Sequence, residues 1–454
     1  MAKYRAYAEY KDSGLEWLGE IPSHWKIASL RFLVEAVSNG STASQVEESE
    51  TTVPISRIES ISTGEIDLNK VGFVDMKTIS QNFKLHKNDI LLSHINSLPM
   101  VGNIALKRDD STLFHGMNLL RLVPNRTITA PYYLFWLLKS IYFRKSVESV
   151  AKPAINQASV SIDSLKNIKL LVPNIDEQIA IANFLDYETA KIDHLIEKQQ
   201  QLIELLKEKR QAVISHAVTK GLDPNVPMKD SGVEWLGKVP EHWVVKSYRL
   251  ASRIYRGKFG HRPRNDPAFY DGDYPFIQTG DVARAGKYIT SYSQTLNEKG
   301  KEVSQLFPKG TLMMAIAANI GDIAILGFEA YAPDSVVGFK PNNDIDLEFL
   351  RYSFIAALPA LEQTSTQSTQ ANLNVERIGA VKGTFPSLQE QREIVGYLDN
   401  LLEQYRNLVK IAENAISLMQ ERRTALISAA VTGKIDVRNW QAPTLAGAQT
   451  ELSA

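Results

Sequence analysis

A basic stretch in the second half of the chain has the residue types that bind nucleic acid. Lys246–Arg264 holds seven Lys or Arg residues in nineteen positions and no acid, with aromatic residues between them. Basic and aromatic side chains beside a glycine-containing turn suit contacts with phosphates and bases. The alternative interpretation is a solvated surface whose charge is balanced by acids elsewhere. On the first interpretation, the candidate contacts are Arg256, Lys258, His261, Arg262 and Arg264.

Two polar segments could present hydrogen-bonding groups to base edges. Ser93–Ser97 and Thr364–Gln370 are rich in hydroxyl, imidazole and amide groups, which can pair with bases in a DNA groove. Both segments could equally be ordinary surface loops. The candidate contacts in the first half are Ser93, His94, Asn96, Arg57, Lys152 and Gln157. Those in the second half are Gln278, Thr279, Asn319, Gln367 and Gln370.

The search for catalytic motifs returns only near-misses. Gly232–Lys238 has the spacing of a phosphate-binding loop, but Val239 stands where Ser or Thr must reach Mg²⁺. Asn265–Phe269 resembles the Asp/Asn-Pro-Pro-aromatic loop of amino-methyltransferases, but Ala268 breaks it. The chain has no cysteine, which excludes disulfides, thiolate metal sites and a cysteine nucleophile. We therefore predict no catalytic, cofactor-binding or metal-binding residue.

Composition and charge favour an ordinary globular protein. The chain has 454 residues, 44% of them hydrophobic, and 51 basic residues balance 51 acidic ones. Zero net charge argues against a uniformly basic DNA-coating protein, although a local basic surface remains compatible with it. The most apolar stretch, Tyr132–Phe143, is shorter than the roughly 20 residues that a bilayer span needs. We therefore expect a cytoplasmic protein that does not enter the membrane.

The chain contains two domain-sized copies of one sequence. Lys11–Trp25 (KDSGLEWLGEIPSHW) recurs as Lys229–Trp243 (KDSGVEWLGKVPEHW), with eleven of fifteen positions identical. Further along, residues 172–223 align with residues 385–436 without a gap. We expect the heads to form loops and turns, because they carry Gly, Pro and Ser. His24 and His242 recur within the heads, and we interpret them as packed or capping residues rather than metal ligands.

Each copy ends in a sequence with the sevenfold repeat of a coiled coil. In the first copy the apolar stripes are Leu185, Ile192, Leu206 and Val213, with Ile181, Leu195 and Leu202. In the second copy they are Leu398, Tyr405, Ala412, Met419 and Leu426, with Ile394, Leu401, Leu408 and Ala415. About 42 residues would form a helix of roughly 60 Å. We expect the two helices to pair antiparallel. The alternative is a core-facing amphipathic helix in each copy.

The remaining part of each copy has the pattern of a mixed α/β domain. Strand-like runs, separated by Gly, Asn and Asp turns, are Asp89–Leu92, Leu119–Val123, Tyr274–Gln278 and Leu312–Ala317. Helical candidates are Tyr132–Ser146 and Leu347–Leu361.

Several of these features together resemble the DNA specificity subunit of type I restriction–modification enzymes. The repeated head KDSGxEWLGxxPxHW, the Pro-x₃-Glu-Gln helix start and the two-copy layout carry the resemblance, over about residues 10–436. Glu177, Gln178, Glu390 and Gln391 match the helix starts of that family. The resemblance implies two target-recognition domains and two long helices that pair as an antiparallel coiled coil and space them. The expected fold class is thus mixed α/β (α+β), with an internal pseudo-twofold duplication.

The resemblance also implies a division of the chain and a division of labour. We expect a head (1–25), a target-recognition domain (26–172), a spacer helix (173–219), a linker with the repeated head (220–243), a second target-recognition domain (244–385), a second spacer helix (386–433) and a tail (434–454). The implied subunit is not catalytic. It binds double-stranded DNA and two adenine-methylating modification subunits, which bind S-adenosylmethionine, and it can recruit restriction subunits, which use ATP and Mg²⁺.

Because the two copies differ, we expect an asymmetric target in two separated parts. Two other functions stay open from the sequence. One is a coiled-coil scaffold that bridges proteins without binding DNA, and the other is an enzyme with an unrecognised site.

Overall fold

In the computed structural model, the chain divides into two compact units. The structure describes residues 4–15, 18–62, 64–154, 157–317, 321–363 and 375–442. The first unit comprises the described residues up to Gln199 together with those from Asn414 onward, and the second comprises Gln200–Glu413. The two longest helices each begin in one unit and end in the other, since α5 spans Ile175–Lys220 and α11 spans Leu388–Val431.

The first unit contains four short helices and thirteen strands in its described part. The helices are α1 (Leu30–Leu33), α2 (Pro131–Lys139), α3 (Ile141–Val150) and α4 (Ile162–Asn167). The strands are β1 (Tyr10–Asp12), β2 (Glu20–Pro22), β3 (Lys26–Ser29), β4 (Val34–Asn39), β5 (Thr52–Ile55), β6 (Gly72–Asp75), β7 (Ile90–Ser93), β8 (Ile95–Asn96), β9 (Ile104–Leu106), β10 (Leu119–Pro124), β11 (Lys152–Ala154), β12 (Gln157–Ser159) and β13 (Lys169–Val172).

The described part of the second unit contains five short helices and thirteen strands. The helices are α6 (Tyr248–Ala251), α7 (Thr279–Arg284), α8 (Glu298–Glu302), α9 (Leu347–Gln363) and α10 (Val375–Ala380). The strands are β14 (Met228–Asp230), β15 (Lys238–Pro240), β16 (Val244–Ser247), β17 (Ser252–Arg256), β18 (Tyr270–Phe276), β19 (Tyr288–Ile289), β20 (Gln294–Leu296), β21 (Gln305–Phe307), β22 (Leu312–Ala315), β23 (Ile323–Leu326), β24 (Ala330–Ala332), β25 (Val336–Pro341) and β26 (Lys382–Phe385).

The two units repeat the same central sheet. In the first unit the strand order is β4-β10-β7-β9, and in the second it is β17-β25-β22-β23, with every one of these neighbours antiparallel. The second unit adds β19, parallel to β23, at the edge. Strand pairs β3–β13 and β16–β26 also correspond. The predicted mixed α/β fold and its internal duplication are therefore confirmed.

Each unit buries an apolar core shared with both long helices. In the first unit Ile181 and Leu185 of α5 belong to the same core cluster as Leu426 and Val431 of α11. In the second unit the cluster joins residues late in α5, such as Ile214, to residues early in α11. The early part of one helix thus packs with the late part of the other, which is the expected antiparallel arrangement.

The long helices have defined ends. The side chains of Asn174 and Ser387 each accept the backbone N–H three residues ahead, at 2.9 and 3.3 Å, and so cap one of the free donors at the helix start. After the last turn, Gly221 and Gly433 adopt φ values of +80° and +73°. Only glycine takes this left-handed conformation without a steric penalty.

One part of the prediction from the sevenfold pattern was wrong, because not every apolar stripe is buried. The stripe through Leu398, Ala412 and Leu426 is buried, but Leu195, Leu202 and Leu408 are 38–47% exposed. A straight helix has 3.6 residues per turn, so a strict sevenfold stripe drifts by about 20° with each repeat and leaves the contact face.

Two further expectations were also wrong. The segment expected as one helix over Tyr132–Ser146 is broken at Ser140, which has an extended backbone and whose Oγ accepts the N–H of Phe143 at 3.3 Å. Serine competes in this way with the helical backbone and begins α3 as its cap. The heads, expected as loops and turns, contain the antiparallel pairs β1–β2 and β14–β15.

Candidate nucleic-acid interface

In the first unit, five of the predicted contact residues come together where the end of β7 meets one small sheet. Ser93 ends β7, Asn96 lies in β8, and β8 pairs with β12, which pairs with β11. Lys152 and Gln157 belong to these last two strands. The backbone N–H of Val160 donates to the carbonyl of His94 at 2.9 Å and extends the pairing. Ser93 is buried, but the other four, from segments about 60 positions apart, form one polar surface that the sequence did not reveal.

The polar groups of this surface are only partly satisfied within the protein. Asn96 Nδ2 donates to the Oγ of the buried Ser93 at 3.3 Å. The Nδ1 atom of His94 is buried and has no hydrogen-bond partner among the described residues. Burial lowers the pKa of His94, although a hydrogen bond with the backbone of Asn118 opposes the shift. A neutral imidazole offers one donor and one acceptor, which is the type of group that reads a base edge.

Arg57 lies elsewhere in the first unit. It follows β5, and its Nε lies 3.4 Å from a carboxylate oxygen of Glu59. Both side chains are well exposed, so the ion pair is weak and the guanidinium stays accessible.

In the second unit, the basic stretch divides into two groups. Arg256 and Lys258 are exposed, and neither forms an ion pair with a residue that the structure describes. Arg262 and Arg264 instead converge on Asp334, with Nη2–Oδ2 distances of 3.4 and 2.6 Å. The interpretation as a DNA-binding surface therefore suits the first group, and the alternative of a charge-balanced surface suits the second.

The other predicted contacts in the second unit are engaged within the protein. Gln278 precedes α7, donates its backbone N–H to Asp281 at 2.9 Å and bonds the side chain of Gln294. Thr279 is half-buried as the first residue of α7. His261 lies 3.0 Å from Asp266 and stacks on a phenylalanine ring at 4.0 Å. The predictions for Asn319, Gln367 and Gln370 lie outside the described residues.

A buried carboxylate at the start of α5 was recognised only as a repeated residue. Glu177 accepts hydrogen bonds from Tyr7 Oη at 2.5 Å and from Trp25 Nε1 at 3.0 Å, and it lies 3.0 Å from His24 Nε2. Burial and Glu177 together raise the pKa of Tyr7 well above its ordinary value. The second unit repeats the arrangement with Glu390, which lies 3.0 Å from His242 and Trp243. The repeated Pro-x-His-Trp and Glu-Gln motifs thus anchor each head to a long helix.

The glutamine beside each carboxylate holds the preceding loop. Gln178 Nε2 donates to the carbonyls of Ile128 and Pro173 at 3.0 Å, and its Oε1 accepts the N–H of Ala130 at 2.8 Å. Gln391 makes the same three kinds of bond in the second unit. These residues are structural, and the signal that could have identified them is their recurrence with the heads.

Two possible features are absent from the described part of the chain. No group of three His, Asp or Glu residues there could hold a metal ion. No helix there is long and apolar enough to cross a membrane.

The fold and these surfaces define a duplicated recognition protein, in which each copy presents polar and basic side chains from a domain anchored to two long helices. The family described as type I restriction modification DNA specificity domain matches residues 22–205 and 259–415. The chain belongs to this family, and it is a DNA sequence-specificity subunit of a restriction–modification system. The alternative of a scaffold that does not bind DNA is not favoured.

The similarity to known proteins extends over most of the chain. A Methanocaldococcus jannaschii protein described as a candidate MjaX type I restriction enzyme specificity subunit is 29% identical over 426 residues, covering 93% of this chain and 96% of that one. The EcoKI specificity subunit of Escherichia coli is 22% identical over 442 residues, covering 93% and 92%. A solved chain from a study of complex assembly and conformational transition of the type I R-M system shares the fold, with a TM-score of 0.71 at 15% identity, covering 91% of this chain and 99% of that one.

Proposed function

We propose that this chain recognises an asymmetric DNA sequence in two separated parts and directs adenine methylation and restriction by partner subunits. The observation that carries the proposal is the repeated central sheet, whose equivalent strands end in different residues. His94 follows β7 in the first unit, and Ile316 follows β22 in the second. Since base contacts specify sequence and phosphate contacts set position, two different readers favour two different half-sites.

In this proposal the chain itself does no chemistry. Two modification subunits bring S-adenosylmethionine, and restriction subunits bring ATP and Mg²⁺. The complex acts on double-stranded DNA in the cytoplasm. The absence of a complete catalytic motif in the sequence supports this division, and so does membership in the specificity-subunit family.

The long helices provide a test of the two-part target. Four residues inserted after Gln199 and four after Glu413 lengthen α5 and α11 where each passes from one unit to the other. Four residues add about 6 Å of helix, which is roughly two base pairs at about 3.4 Å each. We expect the methylated sequence to keep both half-sites and to change its gap. The same four residues inserted after Gln441 are the control and should leave the gap unchanged. Full activity with an unchanged gap in the helix variant would refute the proposal.

The basic stretch supplies a second test with an internal control. Arg256→Ala with Lys258→Ala should weaken DNA binding by the assembled complex and reduce its dependence on salt, because each exposed cation that meets a phosphate releases counterions. Arg262→Ala with Arg264→Ala removes the same charge from a pair already bound to Asp334, so we expect a smaller change. An equal salt dependence in the wild type and in the first variant would assign Arg256 and Lys258 to a plain surface.

A further inference from the structure

A positively charged cavity lies in the first unit. It has a volume of about 250 Å³, and its walls include Lys139, Arg144 and Arg423. None of the described residues that line it is acidic. The cavity is therefore suited to an anion.

Lys139 contributes a charge that no ion pair within the described ranges neutralises. Its Nζ lies 5.0 Å from the centre of the Phe135 ring. Burial, and then Arg423, lower the pKa of Lys139 to about 8, and the charges of Glu65 and Asp193 oppose this shift only in part. Gly64 provides the space, since a Cβ there would lie 2.8 Å from Nζ. By contrast, Arg423 is already held by Asp193 at 2.8 Å.

The second unit contains an equivalent cavity, of about 580 Å³. Gly102–Ile104 line the first cavity and Gly321–Ile323 line the second, and the two glycines have φ values of +84° and +87°. Arg423 lines the first, and Arg210, its counterpart in the aligned helical sequence, lines the second. The duplication thus includes the cavity and one of its cations.

The second cavity also holds a buried cation that is incompletely hydrogen-bonded. Arg351 is 9% exposed, and its Nε is buried with no hydrogen-bond partner among the residues described. Asp322 and Asp399 also line this cavity. The Asp399 carboxylate is engaged by Lys287 at 2.8 Å and Tyr352 at 2.6 Å, and burial raises the pKa of Asp322. A buried guanidinium nitrogen without a hydrogen-bond partner is costly, and an anion in this cavity would relieve that cost.

Both cavities adjoin the ends of equivalent strands. In the first unit Gly102 N–H donates to the carbonyl of Ser93, and Ser93 N–H donates to that of Asn103, both at 2.8 Å. In the second unit Gly321 and Asp322 bond Ala315 in the same way, at 3.1 and 3.0 Å. Backbone hydrogen bonds therefore connect the wall of the first cavity to Ser93, the residue that precedes His94.

We propose that each cavity binds one phosphate group of the DNA backbone and so fixes the position of the neighbouring strand-end residues on the bases. This inference rests on the proposed function and adds the place where each unit binds the DNA backbone. The same charges would attract an acidic side chain of a partner protein. The backbone bonds of Gly102 and Asn103 with the buried Ser93, which precedes the predicted contact residue His94, favour DNA.

The test measures the salt dependence of DNA binding by the full chain assembled with its modification subunits. Lys139→Gln and Arg351→Gln each remove one cation from one cavity. We expect each to lower the slope of log Kd against log salt by about one, to a similar extent on target and unrelated duplexes. Lys139→Arg keeps the charge and should keep the slope. Lys77→Gln makes the same change at an exposed site of the first unit and should leave the slope unchanged.

The outcomes separate this inference from the proposed function. If the wild-type complex fails to bind any duplex, the proposed function is wrong. If the wild type binds and both Gln variants keep its slope, the phosphate sites are wrong. Loss of the modification subunits from the variants, with an unchanged slope, would assign the cavities to an acidic protein partner and also overturn the inference. Thermal melting checks each fold, and Lys139→Met, which keeps the apolar stem, replaces Lys139→Gln if that variant unfolds.

Discussion

The two buried carboxylates at the starts of the long helices allow a prediction with a matched control in the same chain. Glu177→Ala leaves the buried Tyr7 hydroxyl and the buried Trp25 indole N–H without their acceptor. An unsatisfied buried donor costs about 1–3 kcal/mol, so we expect local opening of the first head to become easier by about 3–5 kcal/mol, the range for breaking a buried charged contact.

The equivalent change in the second unit should cost less. The Glu390 side chain is 29% exposed, against 1% for Glu177. The His242 side chain is 53% exposed, so it can form a hydrogen bond with water when Glu390 is removed. Only the Trp243 indole stays buried there, so Glu390→Ala should cost about 1–2 kcal/mol.

Hydrogen exchange of peptides from the β1–β2 and β14–β15 pairs gives each local opening free energy separately. Glu177→Gln keeps the size of the side chain and one acceptor oxygen, and we expect it to lie between the wild type and Glu177→Ala. Equal losses of local opening free energy in the two alanine variants would refute this prediction, and so would a loss of less than about 1 kcal/mol in Glu177→Ala.

Three further predictions concern other buried or paired groups. Burial lowers the pKa of His115 to about 4 from its ordinary value of 6.5, so the unfolded chain binds more protons than the folded chain between these pH values. The free energy of unfolding should therefore fall by at most about 3 kcal/mol as the pH drops from about 6.5 to 4. Urea unfolding of His115→Gln should show a weaker dependence on pH. Gln178→Glu should destabilise the first unit in urea, because a carboxylate cannot donate to the two carbonyls that the amide holds; equal stability would contradict this role. A double-mutant cycle on Asp193 and Arg423 should give a coupling free energy of about 0.5–1 kcal/mol in stability, as for other partly exposed pairs. A coupling of zero would show that this ion pair does not stabilise the first unit.

Much of the fold could be predicted because it repeats along the sequence. The heads and the Glu-Gln helix starts recur at fixed offsets, and the sevenfold stripes mark the long helices. The order of strands in the central sheets could not be predicted, since pairing between β10 and β4 joins residues about 80 positions apart. Helix twist decided which leucines face the core, as the exposure of Leu195 and Leu202 illustrates.

The sequence allowed the residue types of the candidate site to be predicted, but not how these residues are arranged in space. Ser93, Asn96 and Gln157 were chosen for their polar groups, and only the pairing of β8 with β12 brings them together. The division of the basic stretch into two groups could not be predicted, because the acid that pairs with Arg264 lies 70 residues away in the sequence. The cavity at Lys139 had no local signal, because its walls come from distant segments.

Mapping DNA methylation in a host with and without this gene shows directly whether the chain selects a two-part target. We expect a set of methylated adenines that appears only with the gene and that defines one asymmetric sequence in two parts separated by a fixed gap. An identical methylation pattern in both strains, with the modification subunits present, would contradict it. A single uninterrupted or symmetric target would contradict the assignment of one reader to each copy.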